Sequence, residues 1–244
     1  MIYLKEFPTH AEYETYIGGE SKVLPNVSVC DDQPEHVHYN PVPPAQFDFV
    51  DLGLPSGLKW AKANLGAETE TNYGKYFQWG DTVGYTDASH STWSTCPFND
   101  GSSSLNQTYF NAHKSEWLDS NNILKPEYDA GYQQSGGKCR IPTKTEWQEL
   151  INNTTNQWVE NYNGSGVNGR LLTSKTNSNS IFIPAAGLAN SGLITIGSMC
   201  TVWSSSMDSS HIDRAYYFGA DSVNCGVYDY DRRFYGQSIR CVSE

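Results

Sequence analysis

The later part of the chain is a row of short segments, "GRLLTSK", "NSIFIPAAG", "MCTVWSSS", "RAYYFGA", "SVNCGVYDY" and "GQSIRCV", separated by Gly, Asn and Ser. Each has strand length, and the gaps between them hold turn formers. Ahead of them "GGKCRIPTKTEWQELINNT" carries the clearest helix start. Thr143 is placed to N-cap, Glu146 stands three residues on to complete a capping box, and Trp147, Leu150 and Ile151 form an apolar stripe at i, i+3 and i+4. Helix early and a run of antiparallel strands late define the α+β class.

Upstream the texture changes twice. Residues 1–46 are expected to form an arm with little core of its own. "FPTHAEYETYI" predicts a short helix capped by Thr9, and after it Pro25, Pro34, Pro41, Pro43 and Pro44 favour extended chain. From Phe47 the sequence becomes globular through residue 244. "FDFVDLGLPSGLKWAKANLG" predicts an extended start, a turn and a strand over 58–63, and "YGKYFQWGD" a short aromatic strand. A long insertion over 82–137 is rich in Ser, Asn, Asp and Tyr, with a helical patch near 112–118, and insertions of this length usually carry function or cover a core.

Composition limits the function classes. With 244 residues the chain buries a sizeable core and needs no cross-links to fold. It carries 16 Lys plus Arg against 27 acidic residues, a net charge of -11, which argues against a general nucleic-acid binder. The opening "MIYLKEFPTHAEYETYIGGE" does not read as a signal peptide, and no stretch reaches bilayer-spanning apolar length, so neither export by a signal nor membrane insertion is expected.

The segment "DSSHIDRAYYFGADSVNCGVYDYDRRFYGQSIRCV", starting at Asp208, alternates like sheet. Yet it fills the positions usual for Lys, Glu or Thr with Tyr, Asp, Ser, Arg, Asn and Phe. These types favour binding: Tyr offers stiff amphipathic area at small entropic cost, and Arg adds directional donors. In "VNCGVYDYD" a period of two sends Val223, Cys225 and Val227 inward, and Asn224, Tyr228 and Tyr230 outward if a bulge at Gly226 shifts the phase. The run "VYDYDRRFY" also reads as a loop.

"VDLGLPSGLKWAKANLGAETETNYGKYFQWGD", "GGKCRIPTKTEWQEL", "NSIFIPAAG", "VWSSS" and "GQSIRCV" resemble, in order, a domain family of gut and fibre-degrading bacteria and their phages, the major paralogous (FISUMP) domain. The resemblance covers about residues 47–242. It implies a C-type-lectin-like fold, related in shape to formylglycine-generating enzymes and to the variable proteins of diversity-generating retroelements. In that fold the chain ends meet in a small sheet and the late strands and loops form the ligand face. "FPTHAEYETYI", "LPNVSVCDD" and "VHYNP" resemble N-terminal segments of gut-phage capsid-associated and fibre proteins.

Adenine randomisation of an Asn-type codon, as in retroelement variable proteins, cannot give Lys, Glu, Gln, Trp or Met, and none of these occurs over 208–236. The resemblance therefore implies a phage-borne receptor-binding protein with a variable C-terminal face. Its ligand-contact residues are expected at Asp208, His211, Asp213, Tyr217 and Asn224, and at Tyr228, Tyr230, Arg232 and Phe234. Implied partners are a bacterial surface glycan or protein, virion proteins through the arm, and sister chains in a homo-oligomer such as a trimer. The implied location is the virion. The alternative is a structural decoration or fibre protein whose lectin-like domain assembles with other subunits.

No catalytic role and no cofactor are expected. The cysteines at 30, 96, 139, 200, 225 and 241 show no CxxC and no His clustering, against a zinc site. The family blocks imply that Cys139 and Cys241 lie close together, packed or disulfide-bonded, in a structural role. "NDGSSS" at 99–104 lacks the carboxylates of a strong Ca²⁺ site, and His36 and His38 read as ordinary solvated histidines. "VWSSS" lacks a GxSxG elbow, and Trp60, Trp79, Trp147 and Trp203 read as core.

Overall fold

The computed structural model describes residues 47–244 together with residues 27–28 and 38–39. The chain divides into two units, residues 1–44 and 45–244. Within the first, β1 (Val27–Ser28) pairs antiparallel with β2 (His38–Tyr39). The helix expected over "FPTHAEYETYI" and His36 lie outside the described residues.

The second unit combines α and β structure, with small antiparallel sheets and few helices. β3 (Phe49–Asp51) pairs with β4 (Lys59–Ala61), and β4 pairs with the final strand, β13 (Val242–Ser243). After a long irregular stretch come α1 (Gln107–Trp117), α2 (Ala130–Ser135) and α3 (Lys144–Asn153). β5 (Thr154–Val159), β6 (Gly169–Ser174) and β7 (Ser180–Pro184) form one sheet. The short hairpin of β8 (Leu188–Ala189) and β9 (Leu193–Ile194) follows. β10 (Cys200–Met207), β11 (Arg214–Ala220) and β12 (Cys225–Arg232) complete the set in consecutive order. Among the described residues no helix is long and apolar enough to cross a membrane.

Local chemistry explains the helices. The Thr143 hydroxyl accepts from the Glu146 amide at 3.3 Å, and the Glu146 carboxylate takes the Thr143 amide at 2.7 Å, closing the expected capping box. The same carboxylate meets both terminal nitrogens of Arg140 at 2.7 and 2.8 Å, and these donors help hold the Glu146 carboxyl below its usual range although burial works against them. α1 begins earlier than the sequence suggests, because Asn106 caps it through the Tyr109 amide and Phe110 and Trp117 pull both ends into the core. β5 gave no sequence signal: "TTNQWV" is polar, largely solvent-facing, and held by its ladder with β6.

The β10–β11–β12 sheet lies between two cores, so its strands alternate between two buried faces. Trp203, Met207, Ala215 and Tyr217 point into one, with Trp79, Phe110 and Trp117; Cys200, Val202, Phe218 and Ala220 point into the other, with Trp60, Trp147 and Leu150. All four tryptophans assigned to the core are buried. Trp79 donates its indole N–H to Ser204 O and Trp203 to Phe77 O, each at 2.8 Å, which pins the aromatic segment to β10. Ser204, Ser205 and Ser206 are buried within this strand.

The expected strand "GQSIRCV" is threaded singly past several partners instead. Gln237 bridges Phe77, Ser238 bridges Val202, and Val242 bridges Arg140 and pairs with Trp60. Arg240 sits at its centre, fully buried with no carboxylate at ion-pair distance among the described residues. Its guanidinium donates to Asn64 Oδ1 at 3.0 Å, to Ala61 O at 3.0 Å, to Lys62 O, and to Phe182 O at 2.9 Å.

Cys139 and Cys241 are both buried, as free thiols packed against Gly131 rather than as a disulfide. Cys139 Sγ contacts Gly131 O at 3.6 Å, and a Cβ on Gly131 would stand 2.8 Å from Cys241 Sγ. Contact with Cys139 and burial together push the Cys241 thiol well above its ordinary pKa. Ellman titration of the native chain is expected to label the half-buried Cys225 ahead of Cys96, Cys139, Cys200 and Cys241, which should react only in denaturant. Native reactivity of both Cys139 and Cys241 would refute their structural role. Arg240→Met is expected to cost about 3–5 kcal/mol, because it strands buried acceptors. Arg240→Lys should recover little of it, since one ammonium cannot span the fork; urea melts measure both.

Candidate functional site

At one end of the β10–β11–β12 sheet the turn joining β10 to β11 faces the long insertion across an open cleft of about 410 Å³. The insertion contributes Trp93, Leu105 and Gln107; the turn contributes Ser210 to Asp213, and β12 contributes Arg232. The volume falls in the range of small-ligand sites. Leu105, Ile212 and the half-buried Trp93 supply apolar surface, and the remaining side chains are polar.

The turn is built on Asp208. Its buried carboxylate accepts from the Ser210 amide at 2.9 Å and from His211 Nδ1 at 2.7 Å, and the other imidazole nitrogen of the exposed His211 has no partner among the described residues. Asp213 reaches Arg214 Nε at 3.8 Å and Arg232 Nε at 3.9 Å. Behind the wall lies Arg233, fully buried, donating from Nε to Ile212 O at 2.8 Å. Its guanidinium lies 4.3 Å from the centre of the Phe110 ring and 5.7 Å from that of Trp93. Phe234 packs on Trp93 at 5.0 Å.

The residues expected to contact ligand therefore separate. His211, Asp213 and Arg232 line the cleft, and Phe234 supports its Trp93 wall. Asp208 is a correction: at 2% exposure it positions His211 from beneath and offers no contact surface. Tyr217 is another. It is 0% exposed, and packs between Trp203 on one side and Tyr228 and Tyr230 on the other, with ring centres 6.2, 5.8 and 5.5 Å away. Tyr230 is exposed and Tyr228 half-buried over this core. Asn224 lies in the β11–β12 turn, where the Asp221 carboxylate accepts its amide and that of Val223, both at 2.7 Å. The length of β12, about 23 Å at roughly 3.3 Å per residue, separates it from the cleft.

Two details of β12 differ from expectation. The segment is a strand as far as Arg232, and its bulge is not at Gly226. Gly226 pairs in register with Gly219, and the two missing side chains make room for the Tyr228 ring, which would stand 2.8 Å from a Cβ at Gly219. Asp229 and Tyr230 together oppose the single Tyr216, which puts the bulge beside the cleft end. Val223, expected inward, is 80% exposed because the turn takes it out of the ladder. Trp93, Leu105 and Gln107 were not singled out from sequence; only the length of the insertion pointed towards that region.

A buried polar group lies beneath the tyrosines. Asp231 accepts from Gln237 Nε2 at 2.6 Å, while among the described residues Tyr217 OH and Gln237 Oε1 are buried without hydrogen-bond partners. Burial pushes the Asp231 carboxyl up to about 6, against the opposing effect of the Gln237 bond. Among the described residues no three His, Cys, Asp or Glu side chains gather as metal ligands.

An acid whose pKa is raised by folding binds its proton more tightly in the native state, so its ionisation destabilises the fold as pH rises from about 4 through about 6. Asp231→Asn is therefore expected to be more stable than wild type at pH 7.5, by up to about 3 kcal/mol, with the gap closing near pH 4. Burial likewise raises Asp129, so the difference between the two proteins in urea melts, rather than either curve alone, reads Asp231. A gap that does not depend on pH would refute the assignment.

No protein family, curated protein or solved structure matches the chain.

Proposed function

We propose that residues 47–244 form a C-type-lectin-like binding domain of a phage-borne adhesion protein, whose C-terminal face takes a ligand on the bacterial surface. The observation that carries this reading is the division of labour within residues 208–236. Asp208, Tyr217, Asp231 and Arg233 are buried framework, while their neighbours His211, Asp213, Tyr230 and Arg232 face the cleft or the solvent beside it. A rigid frame with contact residues at its surface is what a diversifiable binding face requires, since surface positions tolerate exchange and core positions do not.

The pairing of β13 with β4 supports the lectin-like reading, because it joins the end of the domain to its beginning in a small sheet. In this reading residues 1–46 attach the domain to the virion or to sister chains, and binding needs no cofactor. The bulge at Asp229–Tyr230 interrupts the free edge of β12, which favours contact through side chains over strand-to-strand assembly with another subunit.

Sequencing this gene across the population that carries it tests the proposal. Variation should concentrate at exposed positions of the segment, His211, Asn224, Tyr230 and Arg232 among them, at adenine positions of their codons. Asp208, Tyr217, Asp231 and Arg233 should stay fixed. A uniform segment, or variation that ignores burial, would count against a diversified binder and favour a fixed structural role.

A further inference from the structure

Three arginines meet at the cleft end of β11 and β12 in a chain whose net charge is -11, and of these Arg232 lines the cleft together with one carboxylate, Asp213. Arg214 and Arg232 stand directly opposite each other across β11 and β12, a like-charge pair that an antiparallel ladder disfavours. Arg233 follows in sequence, buried behind the cleft wall. Among the described residues the one carboxylate at ion-pair distance from any of the three is Asp213. It stands 3.8 Å from Arg214 and 3.9 Å from Arg232, too far for a hydrogen bond to either Nε.

Two guanidinium donors are left over. Among the described residues Arg214 Nε and Arg233 Nη2 are buried behind the cleft without a hydrogen-bond partner, whereas the Arg232 side chain lines the cleft and is 54% exposed. The opposite wall adds to the same field. Gln107, the first residue of α1, lines the cleft, and the first turn of that helix carries no acidic residue, so its positive pole is not cancelled within the turn. The nearby Asp100 carboxylate is engaged by the Ser102 amide at 3.1 Å and by Asn106 Nδ2 at 2.7 Å. The half-buried Trp93 indole lines the same cleft, together with Gln107 and His211.

An indole in the cleft wall, side-chain hydrogen-bonding groups and the exposed Arg232 guanidinium are together the chemistry of a carboxylated sugar. We infer that the cleft binds an acidic saccharide, with a sugar ring against Trp93, its carboxylate at Arg232, and its hydroxyls at Gln107 and His211. This rests on the surface-ligand reading above and narrows that ligand to a uronate-bearing glycan. It also makes the insertion, outside the segment 208–236, half of the binding site.

Calorimetric titration of the full chain with trigalacturonate and trimannuronate tests it, with galactotriose as the neutral control and triglutamate as an acidic peptide. At least one uronate should bind, tenfold or more tighter than galactotriose and triglutamate. Arg232→Gln should weaken it by tenfold or more, as should 0.5 M NaCl, with the thermal melt of the variant unchanged because the side chain is half exposed. Failure of both uronates, equal binding of the neutral sugar, or indifference to Arg232→Gln would overturn the inference; triglutamate binding as tightly would make this a peptide site. Adsorption to bacterial cells without uronate binding would remove this inference and leave the adhesion reading standing. Uronate binding without adsorption would do the reverse.

Discussion

The Arg240 guanidinium is the fixed point about which the domain closes. A cation removed from water costs several kcal/mol unless its donors are met, and here they are met by Asn64 Oδ1 and by backbone carbonyls of three residues from two distant parts of the chain. Its planar fork donates to those oxygens in one arrangement only, so the terminal segment has one register against β4 and β7. Neighbouring backbone bonds extend the closure: the Ala61 amide donates to Cys241 O, and the Leu65 amide to Ile239 O, both at 2.8 Å. The threading of residues 236–242 past Phe77, Val202 and Arg140 is possible because this anchor holds both sides.

That closure sets the rigidity of the site. With the terminal segment locked, Gln237 is held under Asp231, and Asp231, Tyr217 and Arg233 form a buried layer supporting the exposed end of β12. A ligand would therefore meet side chains on a fixed backbone and would not have to order the strand first, which lowers the entropic cost of binding. The cleft joins two chain segments far apart in sequence. The turn after β10 brings the hydrogen-bonding and charged groups, and the insertion brings the apolar wall and the helix terminus.

Legibility in the sequence followed the range of the interactions involved. The helix at Thr143 was readable to the residue, because a capping box is a contact between positions three apart. Strands β6, β7, β10, β11 and β12 were readable from their apolar or aromatic runs and their turns. β5 was not, since a polar strand is set by its partner, and the start of α1 was hidden because Phe110 becomes informative only once its core exists. The cleft residues of 208–236 were legible as a segment and not one by one. Asp208, Tyr217, Asp231 and Arg233 have the same residue types as their exposed neighbours, and burial alone tells them apart.

The sequence by itself determined the α+β class, the tryptophan core and an aromatic final segment rich in Asp and Arg, because each rests on local pattern, composition or turn chemistry. Only the tertiary structure decided which side chains of that segment line the cleft, where the bulge of β12 falls, and that Trp93 and Gln107 share that cleft with His211 and Arg232. The cleft depends on contacts between residues more than a hundred positions apart, and the bulge on the register of β12 against β11. No local pattern encodes them, since they arise when the buried terminal segment closes the domain.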